Sequence, residues 1–282
     1  VVLRPSRRDA PESEKQTASK RNEDSLASRV AQKCFYASVS HMRALAIVQG
    51  STKSQVQNVS SNMLDYDESP IVTRYLPMTV TREQVQDDLE YLANNGWPAP
   101  SANQIAVLVL DDDGSILAAE TIDTQSSRQA TKDAIALLED NARPVRDAHA
   151  LLADAKAKAA SEGKRIWLVA GGPRCGPCFR LSAWIHEHRE ILENDYVFVK
   201  LMGSLDNNVR AVVEQFQSKP SGIPWHTIID ADGSQLINSN SPLGNIGMPS
   251  SVEGKRHMRR MLEATARRIS EDEIDALIDS LP

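Results

Sequence analysis

Apolar residues along this chain recur with two periods, and the second half shows both clearly. Helical spacing runs from Asp147 to about Ala160. The unbroken apolar run Ile166-Trp167-Leu168-Val169-Ala170 marks a strand over Arg165 to Ala170. A helical stretch from about Cys175 to Glu193, a strand over Tyr196 to Leu201 and a helix near Asn207 to Gln217 follow. His226-Thr227-Ile228-Ile229 predicts a strand, Asp230-Ala231-Asp232-Gly233 a tight turn, and Gln235 to Asn238 the return strand. Val252 to about Arg268 predicts a helix. The last helix opens on a Ser270/Glu273 capping box and carries Ile274, Leu277 and Ile278 on one face.

The first half repeats this order. Ala44 to Val48 predicts a strand, Lys53 to Leu64 a helix, Ile71 to Val80 a strand broken at Pro77, and Arg82 to Ala93 a helix. Then Ile105 to Leu110 and Ile116-Leu117 flank the turn Asp111-Asp112-Asp113-Gly114-Ser115, and Thr131 to Asn141 closes with a helix. An internal duplication accounts for the shared order. Before it, Leu26, Val30 and Cys34 stand at i, i+4, i+8 on a helix, which makes Cys34 a small buried apolar residue. A mixed or intermolecular disulfide is the alternative, because three cysteines leave one over.

The chemistry concentrates at Cys175-Gly176-Pro177-Cys178, between a strand and a helix. A first cysteine at a helix N-terminus has its thiolate favoured by unpaired N–H groups and the macrodipole, and the second lies about one turn on, within bonding distance. Pro177 suits a first turn that does not need its N–H, and Gly176 leaves Cys175 sterically open. A structural zinc site wants four ligands. The other cysteine is distant, and His186 and His188, two apart on a helix, point in different directions and read as solvated. The turn at Asp230 has Ser241 where a calcium loop carries glutamate, so it reads as an ordinary hairpin turn. No metal and no cofactor is expected.

C-G-P-C after the first strand of a βαβ unit, with Gly222-Ile223-Pro224 before the appended hairpin, resembles thioredoxin over Asp147 to about Arg268. The resemblance implies an α/β protein of tandem thioredoxin-like folds, each a central mixed sheet flanked by helices. It makes Cys175 the attacking and Cys178 the resolving cysteine. Pro224 becomes the cis-proline that turns the Ile223 backbone outward as an edge for a substrate peptide. Ile223 and Trp225 would flank the sulfur and contact substrate, with Gly176, Pro177 and Arg174 around them; core packing is the alternative for Trp225. Lys200 falls where the family keeps a lysine near the site. Two positions depart from the pattern: the family's buried acid is Val169 here, and the tryptophan before the first cysteine is Arg174. The first change removes the usual proton acceptor for the resolving thiol. The second places a positive charge beside Cys175 and predicts a thiol pKa below about 7 by absorbance titration. A finer resemblance, carried by G-I-P-W, D-x-D-G and Asn245-Ile246-Gly247-Met248-Pro249, is to bacterial envelope-type thioredoxin-like proteins. In the first half the corresponding segment, Gln49-Gly50-Ser51-Thr52-Lys53-Ser54, has no thiol, and Ile105 stands in the place of Pro224. That half is left as a packing partner, a substrate-holding surface or a dimer contact.

Length fits a flexible tail over 1–24, a degenerate thioredoxin-like domain over 25–143 and a redox domain over 144–282. A net charge of −6 without a basic stripe argues against nucleic acid, and no apolar run is long enough for a membrane span. The chain starts at Val1, which reads as a fragment or processed form whose export signal or lipid anchor would lie upstream. The expected location is the periplasm or cell envelope, with the cytoplasm as the alternative. The expected function is reduction of protein disulfides by dithiol exchange, with disulfide-containing proteins as substrates and an upstream thiol as electron donor. The alternatives are a redox-responsive binding or scaffold protein, and a disulfide oxidase or isomerase.

Overall fold

The computed structural model describes residues 25–50, 54–64, 70–217 and 221–282. The expected tail over 1–24 lies outside them, as do 51–53 of the segment that replaces the cysteine motif in the first half.

The first half comprises α1 (Leu26–Ser38), β1 (Arg43–Gln49), α2 (Ser54–Leu64), a 3-10 turn (Pro70–Arg74), β2 (Tyr75–Val80), α3 (Arg82–Asp87), α4 (Leu89–Asn94), β3 (Gln104–Leu110), β4 (Ile116–Asp123) and α5 (Ser127–Asn141). The second comprises α6 (Ala148–Glu162), β5 (Arg165–Gly171), α7 (Gly176–Glu187), α8 (Arg189–Leu192), β6 (Tyr196–Met202), α9 (Val209–Val213), β7 (Trp225–Ile229), β8 (Gln235–Asn238), the two-residue strands β9 (Asn240–Ser241) and β10 (Gly244–Asn245), α10 (Val252–Thr265) and α11 (Glu271–Asp279).

Both halves carry a four-stranded sheet, ordered β2-β1-β3-β4 and β6-β5-β7-β8, so the chain has the repeated α/β architecture that the sequence implies. In the second sheet β5 runs parallel to β6, with Val169 opposite Lys200, and antiparallel to β7, with Ala170 opposite Trp225. A strand buried on both faces sorts its side chains by alternation. Trp167 and Val169 enter one core with Leu181, Trp184, Met258, Leu262 and Leu277. Ile166, Leu168 and Ala170 enter the other with Leu152, Ala155, Val199 and Trp225.

The two hairpin turns match bond for bond. Asp111 N–H donates to Ser115 O and Gly114 N–H to Asp111 O; Asp230 N–H donates to Ser234 O and Gly233 N–H to Asp230 O, all at 2.9–3.0 Å. The side chains of Asp113 and Asp232 each accept from the serine two residues on. Both pairings slip register one residue before the turn, and Gly114 and Gly233 both take positive φ, where a side chain would be strained.

Several element bounds differ from expectation, each for a local reason. Ile71 to Val80 is a 3-10 turn followed by a strand, and Pro77 lies inside that strand. Arg82 to Ala93 divides at Asp88, and the helix expected from Cys175 to Glu193 divides at His188, both of which leave αR geometry. The helix expected near Asn207 to Gln217 shortens to α9: Asn208, with a left-handed φ of 61°, delays its start, and the chain passes into turns after Val213. Two compact units emerge. Described residues of Val1–Phe35, Ala44–Met63 and Pro77–Leu137 make one; those of Tyr36–Arg43, Leu64–Leu76 and Leu138–Pro282 make the other.

Caps fix the helix ends. Asp147 accepts from His149 and Ala150 N–H, and Ser270 and Glu273 form the expected capping box. Asp195, 1% exposed, accepts on Oδ2 from the amides of Arg267, Arg268 and Ile269 at 2.7–3.0 Å, fastening the link between α10 and α11. Burial pushes the Asp195 carboxyl up, but these three donors and the Arg268 guanidinium prevail and hold it below the ordinary range.

Candidate active site

Cys175 caps α7 with extended backbone, and its sulfur accepts from Cys178 N–H at 3.2 Å. Pro177 sits in the first turn, where its missing N–H costs nothing. The two sulfurs are joined in a disulfide, with the Cα atoms 5.1 Å apart. Their surroundings differ. Cys178 is fully buried, whereas Cys175 is partly exposed and Arg174, Gly176 and Pro177 are exposed around it. Of the two sulfurs, only the first is open to solvent. Arg174 holds a φ of 77°, in the left-handed region that non-glycine residues rarely occupy. Gly171, at the end of β5, lets Cys178 approach: a Cβ there would lie 3.3 Å from its sulfur.

The Ile223–Pro224 peptide bond is cis. Because Ala170 pairs with Trp225, this bond lies beside the residues that lead into the cysteine loop, and Ile223 Cδ1 sits 3.1 Å from where a side chain on Gly172 would begin. Ile223 is 50% exposed. Trp225, at 1% exposure, packs in the core with Ala170 and Leu201, the alternative that the sequence left open for it, and also lines the groove beside Ile223. Apolar contact at the surface thus falls to Ile223. A groove of about 440 Å³ runs beside Ile223 and is also lined by Gly171, Ser204 and Arg210.

Lys200 on β6 reaches the cysteine helix at Ser182, one turn after Cys178. Lys200 Nζ donates to Val39 O and Ser40 Oγ at 3.0 Å and to Ser182 Oγ, and Ser182 Oγ donates to Cys178 O at 2.9 Å. Its neighbour across the strands is Val169, 3% exposed, which offers no countercharge. Burial, and secondarily the charge of Arg146, lowers the Lys200 pKa from 10.5 to about 7. Arg146 itself is tied to the buried Asp206 by two hydrogen bonds, at 2.9 and 2.7 Å. A cavity of about 180 Å³ adjoins Lys200, between Val169, Ser182, Ile185 and Phe198.

Residues behind the cis-proline carry roles that the sequence reading did not assign. His226 Nδ1 accepts from Trp167 Nε1 at 3.3 Å, which leaves Nε2–H to donate to Gly247 O at 3.1 Å. Burial first, with the charge of His257, lowers its pKa to about 4 despite the bond to Gly247. Ser239 and Asn245 complete this layer. The N-I-G segment was a visible signal for Asn245; nothing marked Val39 and Ser40 as partners of Lys200, since they stand some 160 residues away.

Among the described residues no group of three or more His, Cys, Asp or Glu is placed to hold a metal ion, and no helix is long and apolar enough to cross a membrane. Cys34 is free, 2% exposed, and its pKa is pushed up to about 11 by burial and then by the carboxylates of Asp112, Asp113 and Asp111.

Comparison with curated proteins gives no match. Among solved structures the chain is similar to a disulphide isomerase from Xylella fastidiosa Temecula1, at 19% identity over 47% of this chain and 89% of that one, with a TM-score of 0.31. It is similar to a DsbH oxidoreductase at 17% identity over 43% and 83%, with a TM-score of 0.27. It is also similar to the alkylhydroperoxide reductase AhpF from Enterococcus faecalis at 14% identity over 91% and 99%, with a TM-score of 0.27. Likenesses this faint carry no argument about the site. A family model described as thioredoxin-like matches residues 147–231, the segment that holds both cysteines and the cis-proline. That segment, from the cap of α6 through β7, is thioredoxin-like.

Proposed function

We propose that the protein is a thiol-disulfide oxidoreductase that reduces protein disulfides through Cys175 and Cys178. The observation that carries this reading is the asymmetry of the pair: one sulfur partly exposed on a helix N-terminus, its partner fully buried one turn along, together with the exposed Ile223 that precedes the buried cis-proline. In the reduced protein the Cys175 thiolate attacks one sulfur of a substrate disulfide, forming a mixed disulfide and releasing the other as thiolate. Cys178 then loses its proton and attacks Cys175, releasing the second substrate sulfur. The substrate gains two electrons and, with protonation, two thiols, and the protein ends with the internal disulfide. An upstream dithiol donor returns it to the reduced state. The groove beside Ile223 would seat a substrate side chain next to the scissile disulfide. An extracytoplasmic location, in the periplasm or cell envelope, goes with this reading.

Cys175→Ser abolishes turnover of a protein disulfide, and Cys178→Ser accumulates mixed disulfides visible on non-reducing gels. Multiple turnover by Cys175→Ser would reject the assignment. The oxidising direction is a second reading, favoured by Val169 in place of a buried acid and by Arg174 beside the first sulfur. The reduction potential separates the two: about −270 mV marks a reductant and about −180 to −120 mV an oxidant or isomerase.

A further inference from the structure

Asn245 lies behind the cis-proline edge with all four hydrogen-bonding positions of its carboxamide engaged. Nδ2 donates to Gly222 O at 2.5 Å and to Pro224 O at 2.9 Å, while Oδ1 accepts from Ser239 Oγ at 2.8 Å and Gly247 N–H at 3.1 Å. An asparagine side chain offers two donor hydrogens and two acceptor lone pairs, so this network is complete and fixes the amide's orientation. Turned over, its NH₂ would face the Gly247 N–H and its oxygen would face two carbonyls.

The anchor is tied to the core from two sides. Ser239 N–H donates to His226 O and Ile246 N–H to Ser239 O, both at 2.8 Å, and Ser239 Oγ accepts from His226 N–H at 3.0 Å. Gly247 O accepts from the buried His226 ring, and Asn245 pairs with Asn240 across β9 and β10. The position of β7 is thereby transmitted to an exposed loop.

Asn245 occupies the carbonyls of Gly222 and Pro224, and Pro224 has no N–H. The backbone of Ile223, between them, makes no hydrogen bond among the described residues. Two flanking acceptors are thus taken and one donor-acceptor pair is left facing outward.

We propose that Asn245 is a positioning residue for an extended polypeptide substrate, clamping both sides of the Ile223–Pro224 bond so that one substrate residue exchanges two backbone hydrogen bonds with Ile223. This rests on the oxidoreductase reading above and adds the residue that sets its peptide edge. An exchanged pair of this kind is the hydrogen-bonded pair of an antiparallel ladder, and it reads backbone rather than side chain. The clamp therefore acts on peptide disulfides and leaves a small disulfide without a backbone indifferent to it.

The test compares the full chain with Asn245→Ala and Asn245→Asp on two substrates, a disulfide-linked peptide pair and hydroxyethyl disulfide, with the alkylation rate of Cys175 followed against pH. Loss of two edge-setting hydrogen bonds raises KM for the peptide about tenfold with kcat little changed. Asn245→Asp does at least as much harm, because a carboxylate keeps the acceptors for Ser239 and Gly247 but meets two carbonyl oxygens without a donor. Turnover of hydroxyethyl disulfide and the Cys175 alkylation profile stay as in the wild type. Ser239→Ala, which removes one of the two groups holding Oδ1, gives the same defect in smaller measure and decides the matter if the Asn245 variants fail to fold. A wild-type KM for the peptide in Asn245→Ala, or equal losses on both substrates, overturns the clamp while leaving the oxidoreductase reading intact. A wild-type protein that reduces neither substrate removes that reading and the clamp with it.

Discussion

Lys200→Met in the oxidised protein tests whether a buried ammonium is being carried at a cost. The pKa of Lys200 is lowered from 10.5 to about 7, by burial first and the charge of Arg146 second, so between these values the unfolded chain binds a proton that the folded chain has released. Stability then rises with pH across the window. The cost is in full force below about pH 7 and is gone above about pH 10.5. At about 1.4 kcal/mol per unit it totals some 4–5 kcal/mol, of which about 3 kcal/mol is relieved between pH 6 and pH 9. Other titratable or charged side chains line the same cavity, namely His186, Arg189 and Glu193, and Asp206 lies beyond Arg146. These are unchanged by the substitution and cancel when the variant is subtracted from the wild type. The loss of a donor to Val39 O adds an offset of about 1–3 kcal/mol that does not vary with pH. The assay is urea unfolding by tryptophan fluorescence at pH 6, 7, 8 and 9, with the disulfide intact. The expected result is a wild type that gains about 3 kcal/mol on Lys200→Met over this range. A difference that stays flat to within about 0.5 kcal/mol would refute the reasoning, since the lysine would then keep its proton in the folded state through the hydrogen bonds to Ser40 and Ser182.

His226 sets an acid limit of similar origin. Its Nδ1 accepts from Trp167, so a second proton would oppose the indole N–H; with a folded pKa near 4, stability falls as pH drops from about 6.5 to 4. His226→Asn removes up to about 3 kcal/mol of that pH dependence, measured by the same unfolding titration. Asp195→Ala leaves the amides of Arg267, Arg268 and Ile269 without their acceptor. It costs about 2–4 kcal/mol in unfolding free energy at pH 7, and less as pH falls and protonation empties the wild-type carboxylate.

Most of this architecture was legible because the strands are buried on both faces and stand out as apolar runs, and because the hairpin turns repeat as Asp-x-Asp-Gly. The cysteine pair and Pro224 were readable from short motifs whose chemistry depends on local spacing. What escaped has other causes. Pro70 to Arg74 forms a 3-10 turn although Ile71 and Val72 favour a strand, so context overrode propensity there. Trp225 opens β7 and its ring enters the core, while Ile223 stands before the strand, on the far side of the cis bond, and stays exposed. Lys200 was placed correctly on its strand, yet its partners Val39 and Ser40 come from far away in the chain and carry no local signature. Asn245 stands in the N-I-G-x-P segment, but the meeting of its carboxamide with two carbonyls from another loop is not encoded in spacing.

The third cysteine bears on how electrons are counted. A thiol at the surface near an exchanging pair would compete for the mixed disulfide and strand single equivalents on the wrong sulfur. Cys34 is withheld by geometry and by acidity together: it is 2% exposed, and with a pKa pushed up to about 11 almost none of it is thiolate at neutral pH. On the proposed oxidoreductase reading, the folded chain would exchange electrons in twos and store nothing in between. A chain with three cysteines in its sequence would then carry one exchangeable dithiol.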